Sequence, residues 1–252
     1  MNDHCMQSNK KFVFICGLHR SGTSILHEIL KVQKDISGFS NTGVPEDEGQ
    51  HLQTVFKPAK FYGGPGRFGF NKNAYLNEKS NIITDKNKEK LFNEWNKHWD
   101  LSKSVLIEKS PPNLIRTTFL QEMFDNSYFI IIKRNPIAVS LATQKWSQTS
   151  MDSLLNHYYI THSLFNKDKV KLKNVIEITY EDLIEKTDQV LLKIGVFLSL
   201  TIKPSLVLKE VNKKYLEYWK LWDYQYSTKL YKKYLIMKHE NSMNKFNYSL
   251  LD

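Results

Sequence analysis

The stretch FICGLHRSGTSIL, residues 14–26, limits the possible folds of this chain more than any other. Gly17, four residues, Gly22 and the hydroxyl of Ser24 match the spacing of a phosphate-binding loop, G-x-x-x-x-G-K-[ST]. The preceding KFVFICG predicts a buried strand, and the following TSILHEILKVQ has the apolar spacing of a helix. An anion cradle requires this strand–turn–helix context, so we expect one here, although a purely structural connection would have the same pattern.

The loop lacks the lysine of its pattern, because Thr23 stands at that position. In kinases and ATPases this lysine and Mg²⁺ neutralise the β- and γ-phosphates. The only nearby fixed cation is Arg20, whose guanidinium suits a bidentate contact with an oxyanion. Amides and hydroxyls of Ser21, Gly22, Thr23 and Ser24 would complete the cradle. Since a sulfuryl group carries a single negative charge, the loop favours a phosphosulfate over a triphosphate and predicts no metal ion.

Strand and helix signals alternate along the rest of the chain, which predicts an α/β fold with a parallel sheet. Strands are predicted in SVLIEKS (104–110), SYFIIIKR (127–134) and the first half of NVIEITYEDL (174–183). Helices are predicted in the segments 86–99, 111–124, 135–146 and about 150–166.

No repeat, low-complexity tract or linker divides the chain, so we expect one domain over 1–252. Within it we expect a flexible tail at about 1–10, site-forming loops and a helix at about 41–100, and a helical tail at about 207–252. The aromatic segment NKKYLEYWKLWDYQY (212–226) could be a nucleic-acid platform, but an amphipathic helix packed on the core is the favoured interpretation.

The net charge of +10 would attract nucleic acid, an anionic membrane or a phosphate-rich small molecule. No segment approaches the roughly 18 apolar residues of a membrane span, and the N-terminus lacks the apolar stretch of a signal peptide. We therefore expect a cytoplasmic protein. The contexts of Cys5 and Cys16 do not indicate a disulfide, and no Cys/His spacing indicates zinc.

Two further basic residues end predicted strands. Arg134 ends YFIIIKR and is followed by a turn and a helix that contains Ser140, and Lys109 ends VLIEK. The carboxyl ends of parallel strands are where ligands bind in open α/β sheets, so Arg134 is a candidate for a site. The alternative is that each is an ordinary strand-end cation, paired with a surface carboxylate or exposed to solvent.

Four segments, taken together and in order, resemble the PAPS-dependent sulfotransferases. GLHRSGTSIL is similar to the family's 5′-phosphosulfate loop, and FIIIKRNPIAVS to its 3′-phosphate segment. EKSPPNLIRTTFLQEMF resembles the lysine-bearing strand end of the bacterial and tyrosylprotein branches, and VIEITYEDL, followed by FLSL, the segment near the adenine. The Arg-Lys-Gly motif of the cytosolic animal enzymes is absent.

The resemblance implies a P-loop-like three-layer fold that binds 3′-phosphoadenosine 5′-phosphosulfate (PAPS) and releases 3′-phosphoadenosine 5′-phosphate (PAP). It implies that the 5′-phosphosulfate is held by Arg20, Ser21, Gly22, Thr23 and Ser24. It also implies that Arg134 binds the 3′-phosphate, that Tyr180 lies near the adenine, and that Lys109 lies against the transferring group. The family's 3′-phosphate serine falls at Ala142 here, so Ser140 or Thr143 would replace it.

The family commonly has a glutamate or histidine base after the first helix, and GVPEDEGQHLQTVF offers Glu46, Glu48 and His51 there. If 46–56 is helical, Glu48 shares the apolar face and Glu46 the polar one. A carboxylate on a buried face loses solvation, which raises its pKa towards a value useful for accepting a proton. Glu48 is therefore the favoured base, with Glu46 and His51 as alternatives.

The function expected from these residues is sulfuryl transfer from PAPS to a hydroxyl, or less often an amine, of a small molecule. A sugar, a phenol and another natural product are all allowed as the acceptor. Neither a nucleic acid nor a membrane is expected as a partner. The alternatives are a small-molecule kinase with a degenerate P-loop and a non-enzymatic module that binds nucleotide or RNA.

Overall fold

The computed structural model describes residues 10–204 and 212–251 of the chain. The N-terminal tail expected at about 1–10 therefore lies outside the described residues except for Lys10, as does the first part of the expected C-terminal tail. Among the described residues, no helix combines the length and the apolar composition that crossing a bilayer requires.

The centre of the molecule is a five-stranded parallel sheet. Its strands are Lys11–Cys16 (β1), Ile36–Gly38 (β2), Val105–Lys109 (β3), Ser127–Lys133 (β4) and Val175–Thr179 (β5). They lie in the order β2-β3-β1-β4-β5, and every neighbouring pair is parallel. β2 was not predicted, because three residues are too few to establish a periodicity.

Each central strand is buried on both sides, which makes the fold a three-layer one. Phe12 and Phe14 point into one hydrophobic core, whereas Val13 and Ile15 point into the other. Side chains alternate between the two faces of a strand, so a continuous apolar run is what a doubly covered parallel sheet requires. The predicted class, an α/β P-loop-like fold with a parallel sheet flanked by helices, is confirmed.

Helices connect the strands and cover both faces of the sheet. The α-helices of the described residues are Thr23–Lys31 (α1), Asp85–Asn96 (α2), Thr117–Met123 (α3), Pro136–Ser147 (α4), Met151–Lys169 (α5), Tyr180–Glu185 (α6), Thr187–Leu198 (α7), Lys213–Leu221 (α8) and Tyr226–Asn244 (α9). The helical C-terminal tail is thus present as α8 and α9, and Trp219 and Trp222 pack into the core as favoured from the sequence.

The helix expected over 111–124 is interrupted. Its first part, Pro111–Ile115, is a 3₁₀ helix, and α3 begins only at Thr117. Arg116 between them leaves the helical conformation, and its buried guanidinium donates hydrogen bonds to two carbonyls of the 57–74 region. A tertiary contact has therefore overridden the local helical pattern.

The helix considered for 46–56 does not form. Two short 3₁₀ turns, Pro45–Asp47 and Gly49–His51, flank an extended Glu48, and Glu46 has a left-handed φ of 55°. The carboxylate of Asp47 accepts hydrogen bonds from the backbone of residues 41 and 42, an arrangement that competes with helix formation. The helical-face argument for Glu48 is therefore wrong, and its burial has another cause, described below.

Buried histidines give the stability of this fold a definite pH dependence. Burial lowers the pKa of His19, His157 and His162 to about 3 and that of His27 to about 4. The unfolded chain takes up protons at these sites below about pH 6.5, whereas the folded protein does not. The stability that they contribute is therefore present above about pH 6.5 and is lost as the pH falls towards 3.

His157 offers a direct test of this dependence. Its Nε2 accepts a hydrogen bond from the Gly69 amide at 3.1 Å, so the folded state requires the neutral ring. His157→Gln keeps an acceptor but cannot titrate, and each removed histidine should reduce the slope by up to about 1.4 kcal/mol per pH unit. Urea unfolding at neutral pH and at about pH 5 should show a smaller loss of stability in the variant than in the wild type. Equal losses of stability in the variant and the wild type would contradict the conclusion that the folded state requires a neutral His157.

Candidate active site

A cavity of about 530 Å³ opens where β1, β3, β4 and β5 end, a volume typical of ligand sites. Its wall comes from the segments that follow these strands, together with the 46–48 turn, α4 and the start of α8. The lining residues are His19, Arg20, Gly22, Thr23, Ser24, Ile25, Glu46, Glu48, Pro111, Arg134, Ala142, Trp146, Tyr180, Asn212, Lys214 and Tyr215.

The loop between β1 and α1 forms the floor of this cavity. Gly22 caps α1 with a left-handed φ of 105°, and no side chain caps the helix. A Cβ at Gly22 would lie 2.5 Å from Cδ2 of Tyr180, so only glycine lets the loop approach that ring. The first amides of α1 and the positive end of its dipole are thus available to an anion.

Ser24 connects the loop to a buried cation. Nζ of Lys109 lies 3.3 Å from Oγ of Ser24, 2.9 Å from the carbonyl oxygen of Glu46 and 3.2 Å from Oε1 of Glu48. Lys109 is only 1% exposed and lies directly behind the cavity wall that these three residues form. A positive charge is therefore fixed beside the helix N-terminus without the lysine of the P-loop pattern.

Glu48 is a buried carboxylate on this wall, 7% exposed. Besides the contact with Lys109, its Oε2 accepts a hydrogen bond from the side-chain amide of Gln50. Burial raises the pKa of Glu48, and the charge of Lys109 opposes that shift. The result is an ionisable group whose affinity for a proton is higher than that of an exposed glutamate, at the edge of the cavity.

The two alternative bases differ from Glu48 in environment. Glu46 is exposed, and its carboxylate accepts a hydrogen bond from Oγ of Ser24 at 3.1 Å. His51 does not line the cavity, its Nε2 lies 4.0 Å from Oε2 of Glu48, and burial lowers its pKa. Of the three candidates, Glu48 alone is a buried acid that borders the cavity.

Arg134 lies on the cavity wall formed beyond β4. Its guanidinium packs 4.0 Å from the centroid of the Tyr180 ring and donates 2.8 Å hydrogen bonds to the carbonyl of Arg20 and to Oδ1 of Asn212. Burial lowers the pKa of this guanidinium, but an arginine stays charged at any physiological pH. The side chain is thus a fixed, oriented cation within the same cavity as the loop.

A carboxylate outside the cavity holds this arginine in place through its partners. Glu181 accepts hydrogen bonds from the backbone amide of Asn135 at 2.9 Å, from the side-chain amide of Asn212, and from the hydroxyl of Tyr248 at 3.1 Å. Residues from the turn after β4, from α6 and from the C-terminal tail therefore form one network around Arg134.

Two predicted residues lie away from the cavity. Ser21 is buried, and its hydroxyl donates a 2.7 Å hydrogen bond to the carbonyl of Leu18, which closes the loop. Ser140 and its alternative Thr143 border a separate small void with His157, while Ala142 faces the main cavity. Lys109 lies behind the cavity wall. The remaining predicted residues line the cavity together: Arg20, Gly22, Thr23, Ser24, Glu48, Arg134 and Tyr180.

Sequence reasoning missed the residues that reach the cavity from distant segments. Asn212, Lys214 and Tyr215 come from the tail, and Trp146 packs 4.9 Å from the guanidinium of Arg20. No local motif marks these residues as part of a site. The lysine and tyrosine content of the tail is the one sequence signal that could have drawn attention to it. Within residues 10–204 and 212–251, no group of three or more His, Cys, Asp or Glu side chains could hold a metal ion.

The fold and this cavity define a class of protein, namely a P-loop-like α/β protein with a cavity at the carboxyl edge of its sheet, lined by a helix N-terminus and by arginine side chains. Residues 13–204 match the model of the sulfotransferase family, and the chain belongs to that family. It is therefore an enzyme of sulfuryl transfer. A search of curated proteins found no significant match.

Solved sulfotransferase structures share this fold. The sulfotransferase domain from the curacin biosynthetic pathway is 17% identical, with a TM-score of 0.51 over 77% of this chain and 76% of that one. The domain from the Synechococcus PCC 7002 olefin synthase is 16% identical, with a TM-score of 0.52 over 77% and 74%. Sulfotransferase STF1 from Mycobacterium tuberculosis H37Rv is 12% identical, with a TM-score of 0.52 over 80% and 70%.

Proposed function

We propose that this enzyme transfers the sulfuryl group of PAPS to a hydroxyl, or less often an amine, of a small-molecule acceptor and releases PAP. The observation that carries the proposal is that one cavity joins three groups: an uncapped helix N-terminus, the oriented guanidinium of Arg134, and the buried pair of Glu48 and Lys109. The helix N-terminus and Arg134 suit the phosphates of PAPS. The pair of Glu48 and Lys109 suits removal of the acceptor's proton next to the sulfuryl group that is transferred.

The loop would hold the 5′-phosphosulfate. Amides at the start of α1, the hydroxyls of Thr23 and Ser24, and the guanidinium of Arg20 supply donors for an oxyanion. The glycine at position 22, which lets the loop lie against the ring of Tyr180, supports this use of the loop. Arg134 would bind the 3′-phosphate. Because Tyr180 packs against the guanidinium of Arg134, its ring would lie near the adenine of the bound nucleotide.

The reaction would be an in-line displacement at sulfur. The bond between sulfur and the acceptor oxygen forms as the bond between sulfur and the bridging phosphate oxygen breaks, and PAP leaves with the electron pair. The acceptor proton goes to the carboxylate of Glu48. Lys109 would stabilise the charge on the transferring group and on the leaving oxygen, which is the role of preorganised cations in such sites.

We expect turnover to need no divalent metal. A sulfuryl group carries one charge, and Arg20, Lys109 and the loop amides would provide the stabilisation that Mg²⁺ gives in kinases. The test is mass spectrometry of a library of hydroxyl and amine acceptors incubated with PAPS, before and after exhaustive EDTA treatment. Sulfated products should appear equally in both samples.

The same assay separates the proposal from its kinase alternative. With ATP as the only donor, no phosphorylated acceptor should form, with or without Mg²⁺. Phosphorylated products that require Mg²⁺, together with no sulfated product from PAPS, would overturn the proposed function.

A further inference from the structure

Three consecutive residues at the end of β3 hold the segment that carries Glu48. Glu108 and Lys109 point to opposite faces of the sheet, as successive strand residues do, and Ser110 follows on the face of Glu108. Oε1 of Glu108 accepts a hydrogen bond from the amide of Gly49 at 2.9 Å. Oγ of Ser110 accepts one from the amide of Gln50 at 3.0 Å and donates its own proton to Oε1 of Glu108.

Glu108 therefore holds both amides that follow Glu48. It accepts the hydrogen bond from Gly49 directly, and it holds Gln50 through the hydroxyl of Ser110. Its second oxygen accepts a hydrogen bond from the side chain of Asn113. The side chain is fully buried, and burial raises its pKa to about 7 while Ser110 and Asn113 oppose that shift. A carboxylate that is fully buried and accepts hydrogen bonds from several donors has a defined structural role, unlike a solvated carboxylate on the surface.

Gly49 fits this arrangement. A Cβ at that position would lie 2.5 Å from Cγ and Oε1 of Glu108, closer than real Cβ contacts. The indole nitrogen of Trp95 also donates a 2.9 Å hydrogen bond to the Gly49 carbonyl. The backbone after Glu48 is thus fixed on both its amide and its carbonyl side, although no α-helix holds it.

We propose that Glu108 is a positioning residue that fixes the carboxylate of Glu48 by holding the amides of Gly49 and Gln50. The inference rests on the proposed role of Glu48 as general base. Glu108 itself lies outside the cavity wall, so it acts through the backbone and touches no reacting atom.

A double-mutant cycle on kcat tests this role, with saturating PAPS at a pH above the pKa of Glu108. Glu108→Met removes the acceptor with little change in volume and should lower kcat by about 10- to 100-fold, because a displacement of about 1 Å can cost a hundredfold. In the Glu48→Gln background it should cost nothing further. PAP affinity should be unchanged in every variant, which also shows that each one is folded.

The conservative variant is the matched control. Glu108→Gln keeps one oxygen as the acceptor for Gly49 and Ser110. Asn113 can rotate its side-chain amide so that its oxygen accepts a hydrogen bond from the new amide nitrogen, and most of the turnover should therefore remain. Should Glu108→Met fail to fold, Ser110→Ala removes the hydroxyl that links Gln50 to Glu108 but leaves the direct hydrogen bond from Gly49 to Glu108. It should lower kcat in the wild-type background and not in the Glu48→Gln background.

Equal losses in the two backgrounds, or a Glu108→Gln variant as impaired as Glu108→Met, would overturn the inference alone. A Glu48→Gln enzyme with full turnover would overturn the proposed base, and this inference with it.

Discussion

Glu48→Gln should lower kcat by about 10²–10⁴-fold, the usual contribution of a general base. The substitution keeps the shape of the side chain and its hydrogen bond with Lys109 but removes the group that accepts the acceptor proton. Since the proposed role of Glu48 is proton removal from the acceptor and not phosphate binding, the affinity for PAP should not change. Initial rates with saturating PAPS and acceptor measure the first effect, and calorimetry with PAP measures the second.

Glu46→Gln is the matched control for this prediction. It makes the same chemical change two residues away, on an exposed carboxylate that contacts Ser24. Turnover close to that of the wild type is expected from it, and the same holds for His51→Ala. If Glu48→Gln keeps its turnover while Glu46→Gln or His51→Ala loses it, the general base is the residue whose substitution abolishes turnover.

Arg134→Ala should weaken PAP binding by about one to two decades, since a charged hydrogen-bonded contact contributes about 1.5–3 kcal/mol. ADP lacks the 3′-phosphate, so its affinity should stay nearly the same. The decisive quantity is the ratio of the Kd for ADP to the Kd for PAP, because any effect of the substitution on the loop through the Arg20 carbonyl is common to both ligands. Calorimetry with both nucleotides measures this ratio.

Arg67→Ala provides a control for the loss of an arginine elsewhere. Arg67 donates hydrogen bonds to Thr149 and to the carbonyl of Ser147 and does not line the main cavity. Its removal should leave the ratio of the two Kd values unchanged. Equal weakening of PAP and ADP in Arg134→Ala would remove the 3′-phosphate assignment.

Much of the fold could be predicted because the deciding signals are local. β1, β3, β4 and β5 are continuous apolar runs, and the loop of residues 17–24 joins a strand to a helix within a dozen residues. Parallel pairing then brings the ends of these strands to one edge of the sheet, which is why Arg134 and the loop lie in one cavity. Lys109, which lies behind the cavity wall, was a candidate through the family resemblance of its segment.

The features of the site that could not be predicted depend on contacts between residues far apart in the sequence. Glu48 was favoured for a helical face that does not exist, and its actual position is set by β3, some sixty residues later. The family spacing places the 3′-phosphate serine at Ala142, which does line the cavity, whereas Ser140 and Thr143, the expected replacements, border a separate void. Asn212 reaches Arg134 from the tail, and no local pattern could reveal that hydrogen bond.

The proposed function requires that this cavity binds a nucleotide through its 3′-phosphate. The most direct test is calorimetric titration of the wild-type protein with PAP, ADP and ATP under identical conditions, without metal ions. PAP should bind more tightly than ADP by about one to two decades, and ATP should bind no better than ADP. Binding of ADP or ATP as tight as that of PAP would contradict the proposed function.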